Sequence, residues 1–412
     1  MTSRGLVMAG QKRKSFGPGL IVAAAFIGPG TVTSASRAGA DFGFTLLWAI
    51  LFSTLATIVL QEMASRVGIV SRRGLSEVVR TAFPSRGARV LQALLISLAI
   101  GLGNAAYQTG NLTGASLGLQ VLTDWPLALW VVVVSMLAFG LLFWGKYKII
   151  ERGLIALVVV MSIVFMVTAY IVRPDASEIV QGLVPSIPGG GLGTVIALIG
   201  TTIVPYNLFL HANSVQENWT ADVPVEKAIP ESRRDTFTAV MIGGLITAAV
   251  MVTAAAAFYG KGGITSAAEM ARQLEPTLGG PLAKLLFATG LLAAGLTSAI
   301  TAPLAASYAL CGVFCWPMDL KSWRFRGIWM TVLLSGMLVA LTVKASPTEI
   351  ILVAQIANGL LLPLMALFLL VAVNNRALMQ GHANGLLTNL LGGGIVLIVT
   401  MLAGYAIWTK LA

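Results

Sequence analysis

The chain has 412 residues, 57% of them hydrophobic and only 10% charged, with a mean hydropathy of +0.87. A soluble domain carries about 25% charged residues, so this composition excludes one and points to a polytopic membrane protein. The net charge of +11 would suit nucleic acid, but the basic residues lie in short loops between apolar segments, which is the positive-inside pattern instead.

Residues 1–17 are polar and basic, with no apolar core before a cleavage site. They read as a cytoplasmic tail rather than a signal peptide. A helix crossing the bilayer needs about 20 apolar residues. Eleven candidates follow: 18–38, 45–65, 90–122, 127–144, 153–172, 192–216, 236–258, 281–311, 327–344, 349–373 and 386–409. The third and eighth are long enough to imply tilt or extension beyond the bilayer. Gly189-Gly190-Gly191 reads as a loop, and Gly392-Gly393-Gly394 as a flexible point or a close-packing surface. Neither glycine run precedes Lys-Ser or Lys-Thr, so there is no phosphate loop and no sign of an ATPase. Cys311 and Cys315 read as buried small residues, not a metal or redox site. No cofactor is expected.

With the N-terminus inside, 20 of the 27 Lys and Arg residues fall on the inner side and 7 on the outer. That split places the N-terminus in the cytoplasm of a cell (inner) membrane protein and the C-terminus outside. Spans 1–5 (18–172) and 6–10 (192–373) then have opposite orientation. The expected architecture is all-α, two inverted repeats of five spans, with an eleventh at 386–412.

Spans 1 and 6 are broken at corresponding places, by Gly28-Pro29-Gly30-Thr31 and by Thr201-Thr202-Ile203-Val204-Pro205-Tyr206. Such breaks free backbone groups at membrane depth, which is tolerated only where they are buried in protein or line a cavity. A matched pair is the best sequence pointer to a transport site. Hydroxyls and amides gather there: Thr31, Thr33, Ser34 and Ser36, then Thr201, Thr202, Tyr206, Asn207, His211 and Asn213. Span 3 adds Asn104 and Tyr107, and span 10 adds Gln355 and Asn358. Thr297, Ser298 and Thr301 of span 8 read as glue between helices. All sixteen acidic residues fall in loops or at span ends, so no carboxylate is expected at mid-membrane. His211 is read either as a proton or gating group or as a neutral histidine bonded inside the bundle. Arg37 and Asp41 read as an interfacial pair, with an outer gate as the alternative.

The pattern Gly17-Pro18-Gly19 with Gly28-Pro29-Gly30-Thr31 resembles the start of Nramp-type metal transporters. The stretch Val204-Pro205-Tyr206-Asn207-Leu208-Phe209-Leu210-His211 is similar to their sixth helix. Phe287–Gly295 of span 8, and Gln355 with Pro363 of span 10, also look like theirs. The resemblance covers nearly the whole chain. It implies a leucine-transporter-like fold and manganese or iron uptake coupled to protons. The departures fall on functional positions. The family's metal-binding Asp and Asn are Gly28 and Thr31, its soft Met is Val204, and its carbonyl ligand corresponds to Thr201. Its His beside the proline is Tyr206, and the acidic pair of its third helix falls at Asn104 and Tyr107. Loss of sulfur removes a preference for soft metals, and loss of Asp for Gly is expected to enlarge the site. In this the sequence resembles Nramp-related magnesium transporters, which lack the Met, hold a hydrated ion and do not use protons.

The first functional reading is a transporter of a hydrated, Mg²⁺-like cation. Its substrate site comprises Gly28, Thr31, Thr201, Val204, Tyr206, Asn207 and Gln355. Thr31, Thr201 and Gln355 are the candidate metal contacts, and His211, Asn104 and Tyr107 the candidate proton or gating groups. The second is a carrier of a zwitterion or carboxylate held at half-helix N-termini. The third is a non-transporting sensor or scaffold. The partners expected are an ion or small solute and the lipid bilayer, without nucleic acid.

Overall fold

The computed structural model describes residues 27–411 apart from 84, 146–147 and 265. The expected tail at 1–17 and the first half of span 1 lie outside the described residues. The described chain is helical throughout. Span 1 runs Pro29–Phe42, span 2 Leu47–Ser71, span 3 Arg86–Thr123, span 4 Leu127–Trp144 and span 5 Lys148–Val172. Span 6 is two helices, Leu192–Thr202 and Pro205–Asn218. Span 7 runs Val225–Phe258, span 8 Gly280–Phe314, span 9 Trp323–Thr342, span 10 Pro347–Val373 and span 11 Leu386–Leu411. Among the described residues, ten of these are long and apolar enough to cross a membrane, the two halves of span 6 counting as one.

Several helices outrun the apolar runs that announce them. Span 2 continues through Ser71, and span 7 begins at Val225 despite Pro230 in its second turn. Polar residues such as Arg66 and Arg233 therefore lie on helix rather than in a loop. Among the described residues, five short connecting α-helices were not expected: Leu75–Ala82, Ala176–Gly182, Ala267–Ala271, Glu275–Leu278 and Arg376–Met379. The second carries an aspartate N-cap, Asp175 bonding the Ser177 amide at 2.8 Å.

Span 6 is the axis of the bundle. Its apolar stretch is 89% buried within the protein, against 28% for spans 4, 5 and 9 and 22% for span 11. The latter four turn Leu, Val and Ile outward, the surface that lipid covers. Spans 1, 2, 3, 8 and 10 surround the axis, with span 8 packed along span 3, span 7 on spans 1 and 2, and span 10 between span 3 and the first half of span 6. Small residues set these distances, as expected where hydrocarbon gives no hydrophobic drive and van der Waals fit decides. A Cβ on Gly39 would lie 2.2 Å from the Met251 carbonyl oxygen, and one on Gly118 2.4 Å from that of Ala288. Gly392 packs closely against Leu370, whereas Gly393 and Gly394 face open space. Cys311 is buried, but Cys315 is exposed in a left-handed C-cap, which corrects its reading as a buried residue.

Candidate transport site

Span 6 breaks because of Pro205. Proline has no N–H to give the carbonyl four residues back, here Thr201, and it drives the preceding residue out of helical backbone. The helix stops at Thr202. Ile203 (φ −96°, ψ 73°) leaves helical backbone, Val204 (φ −75°, ψ 120°) is extended, and a new helix opens on Pro205. Pro29 does the same in span 1: Gly28 is extended (φ −104°, ψ −176°) and the helix starts at Pro29. The Thr202 carbonyl is approached by Thr57 Oγ1 of span 2, at 3.4 Å.

The two breaks meet. Thr31 Oγ1 and Thr201 Oγ1 share a hydrogen bond of 2.9 Å, both buried. Gln355 of span 10 lies across Gly30, so closely that a Cβ there would stand 2.2 Å from Nε2. Gly200 likewise admits the Gln355 carbonyl, 2.2 Å from its Cβ position, and Pro29 rests on Gly114 of span 3. Tyr107 and Tyr206 join spans 3 and 6 edge to face, with ring centroids 5.3 Å apart. Spans 1, 3, 6, 8 and 10 therefore converge on one buried locus.

At Gly28 a Cβ would meet Ser298 Oγ at 3.0 Å and Tyr107 Oη at 3.7 Å, so a side chain there would press on the Ser298 hydroxyl of span 8. The reading of span 8 is corrected with it. Thr297 and Thr301 bond the carbonyls four residues back in their own helix, Ala293 and Thr297. Ser298 has no such bond and faces Gly28.

The chemistry is neutral. Among the described residues, no group of three or more His, Cys, Asp or Glu is placed to hold a metal. Instead, uncharged polar atoms are buried without a hydrogen bond: Ser298 Oγ, both amide atoms of Gln355 and both of Asn207. Each such atom costs about 1–3 kcal/mol if nothing polar meets it. Val204 is buried in the extended segment. Asn104 lies one turn from Tyr107 on span 3, buried, with Nδ2 unbonded.

His211 stands apart from this cluster, six residues into the second half of span 6. Its Nδ1 is 2.8 Å from Gln61 Oε1 of span 2, and Nε2 has no bond. Gln61 escaped the sequence reading, although a lone amide in an apolar span was its signal. On the other side of the breaks, Gln273 Nε2 donates to Ser36 Oγ at 3.0 Å, and Thr253 Oγ1 donates to Gln273 Oε1 at 3.3 Å. These buried side chains tie span 1, span 7 and the connection to span 8. Arg37 does more than pair with Asp41 (3.3 Å), since its Nη1 also donates to the Ile264 carbonyl at 3.0 Å.

Comparison with known proteins agrees with this architecture. The sequence matches the family described as natural resistance-associated macrophage protein-like, Nramp, over residues 19–409. It is 29% identical to the divalent metal cation transporter MntH of Deinococcus radiodurans, over 96% of this chain and 89% of that protein. It is 32% identical to the MntH of Agrobacterium fabrum, over 76% of this chain and 68% of that one. In fold it is similar to the Eremococcus coleocola manganese transporter, with a TM-score of 0.76 at 24% identity, covering 96% of this chain and 86% of that one. MhsT, solved with L-phenylalanine, shares the fold more distantly, with a TM-score of 0.58 at 14% identity over 97% and 99% of the two chains. With its paired broken spans and a family match over almost its entire length, the chain is a member of the Nramp family and has the leucine-transporter-like fold.

Proposed function

We propose that the protein is a secondary transporter that moves a hydrated, Mg²⁺-like divalent cation by alternating access, without proton coupling. The observation that carries this is the meeting of the two breaks through neutral oxygens, Thr31 and Thr201 at 2.9 Å, with no acidic residue or methionine within the break segments 28–31 and 201–206. Mg²⁺ sheds water reluctantly and accepts outer-sphere oxygen contacts. A bare ion in a low-dielectric site demands compensating charge. Relatives named as divalent metal cation transporters support the cation. The absence of a soft ligand at Val204 argues against a preference for manganese. Thr31, Thr201 and Gln355 are the contacts proposed for the hydrated ion, with Tyr206 and Asn207 beside them.

Neutral Asn104 and Tyr107, where the family resemblance expects acids, support transport without protons. His211 is tied to Gln61 and is read as a structural histidine. The charge asymmetry of the loops supports a cytoplasmic N-terminus. The opposite sense of 18–172 and 192–373 supports their reading as inverted repeats that rock about the breaks.

Purified protein in liposomes tests this, with Mg²⁺ and Mn²⁺ uptake followed together with internal pH. Saturable Mg²⁺ entry without acidification is expected. Acidification that tracks entry, or entry of Mn²⁺ alone, overturns it.

A second reading has its own support. Asn207 and Gln355 each present a buried donor and a buried acceptor without a partner, which suits a zwitterion or a carboxylate. Gly28→Asp separates the two, but Ser298 stands 3.0 Å from the new Cβ, so the variant must be made with Ser298→Ala. The pair should raise cation uptake if the substrate is a cation. If uptake of a carboxylate-bearing solute is present and the pair abolishes it, the second reading holds.

A further inference from the structure

Away from the breaks, on the side that carries the basic loops, a groove of about 490 Å³ opens between spans 3 and 8. Arg80, Arg86 and Arg89 line it together with Val90, Ala93, Leu94, Val313 and Phe314. Among the described residues, no acidic side chain is in that lining.

We propose that the groove between spans 3 and 8 binds an anionic phospholipid of the leaflet on that side, its phosphate on the three arginines and an acyl chain along the apolar wall. Three observations agree. Span 3 has 38 residues and is about 57 Å long, well beyond the roughly 30 Å hydrocarbon layer. Its first turns, with Arg86 and Arg89, therefore stand at headgroup level. The wall continues into the bilayer-facing surface: Val90 and Leu94 are more than half exposed, as are Leu91, Leu98 and Leu102 beyond them. The groove is thus charged at one end, apolar along its length and open to lipid. The charge has only one sign, which suits a phosphate diester and not a zwitterionic headgroup. Basic pockets between membrane helices hold anionic headgroups by this arrangement.

Native mass spectrometry of the detergent-solubilised protein, titrated with phosphatidylglycerol and separately with phosphatidylcholine, tests the assignment. Phosphatidylglycerol should bind saturably and phosphatidylcholine should not. The R80Q/R86Q/R89Q variant should lose about tenfold or more in affinity. R80K/R86K/R89K should retain binding, and R73Q/R234Q/R376Q, which removes three exposed basic residues elsewhere, should bind as the parent does. Val90→Glu sets a carboxylate in the groove and should weaken binding with all three arginines kept, which covers a glutamine variant that fails to fold. Equal affinity for both lipids, equal loss in the control triple, or displacement by millimolar inorganic phosphate would each overturn the proposal. The last would make the groove a free-phosphate site.

Discussion

The hydrogen bond between Thr31 and Thr201 joins the two breaks directly, at 2.9 Å and out of contact with solvent. Removing one hydroxyl leaves the other to bond elsewhere or go unsatisfied, whereas removing both costs less than the sum. Thr31→Val and Thr201→Val should each lower the midpoint of thermal unfolding in detergent. The double variant should show a coupling of about 1 kcal/mol, and additive losses would mean the two hydroxyls act independently. The residue scale also shows the limit of reading a site from sequence. Gly28-Pro29 and Val204-Pro205 announce the breaks because proline acts on its own chain neighbours. Nothing local says that Ser298 stands on Gly28, or that Gln61 is the partner of His211. Those pairings arise only when spans 150 or more positions apart along the chain are brought together. The surroundings of Gly28 are hidden for the same reason: Ser298 Oγ and Tyr107 Oη lie 3.0 and 3.7 Å from its Cβ position, and neither is near it in the chain.

At the scale of elements, span existence was legible and span ends were not. Apolar runs mark the lipid-crossing part, but spans 2, 3, 7 and 8 continue as helices past it, where polar residues bond to neighbours instead of to a loop. The short connecting helices have too few residues to leave a periodic signal. The helix Ala176–Gly182 illustrates what holds them. Gly182 approaches the Phe44 carbonyl, with a Cβ position only 2.1 Å from the oxygen, Trp48 Nε1 donates to Ser186 O at 2.8 Å, and Asp175 caps the first turn. The Ser177 amide and hydroxyl hold the Asp175 carboxyl below its usual value. A carboxyl depressed on folding stabilises above its unfolded pKa, and the gain is lost as pH falls through the lower, folded pKa. Hydrogen-exchange protection of 176–182 should therefore be constant from neutral pH down to the ordinary carboxylate range and decline below it. Asp175→Asn, which keeps an oxygen acceptor at the cap, should remove that decline. A decline of equal size in the variant would assign it to another group.

Over the whole molecule, one charged cluster binds distant parts of the chain. Arg66 is 5% exposed and donates to both Glu62 oxygens, to the His382 carbonyl at 2.7 Å and to Asn384 Oδ1 at 2.6 Å. Arg233 of span 7 shares the same carboxylate. Span 2, span 7 and the segment before span 11 are thereby fixed to each other at one end of the bundle. Glu62→Gln leaves the buried guanidinium without its counter-charge and should cost about 3 kcal/mol or more, read as a lower unfolding midpoint in detergent. Glu62→Asp, which keeps the charge, should recover part of the loss. No recovery would place the loss in packing rather than charge. The sequence placed these residues on the inner side, Glu62 at the end of span 2 but Arg66 and Arg233 as loop charges, because the continuation of spans 2 and 7 is not written in their hydropathy.

The close glycine contacts carry a consequence for how the chain can change over time. At Gly39, Gly68, Gly118 and Gly200 the atom nearest a would-be methyl is the backbone oxygen of another span, at 2.1 to 2.4 Å. No rotamer change can relieve such an overlap, so even alanine requires two helices to separate. At Gly87, Gly101, Gly153, Gly393 and Gly394 nothing stands within 4 Å. One residue type is thus divided into two populations, one frozen and one free to drift. Descendants of this sequence should diverge around an unvarying set of seams, with substrate-contact positions free to exchange chemistry between them.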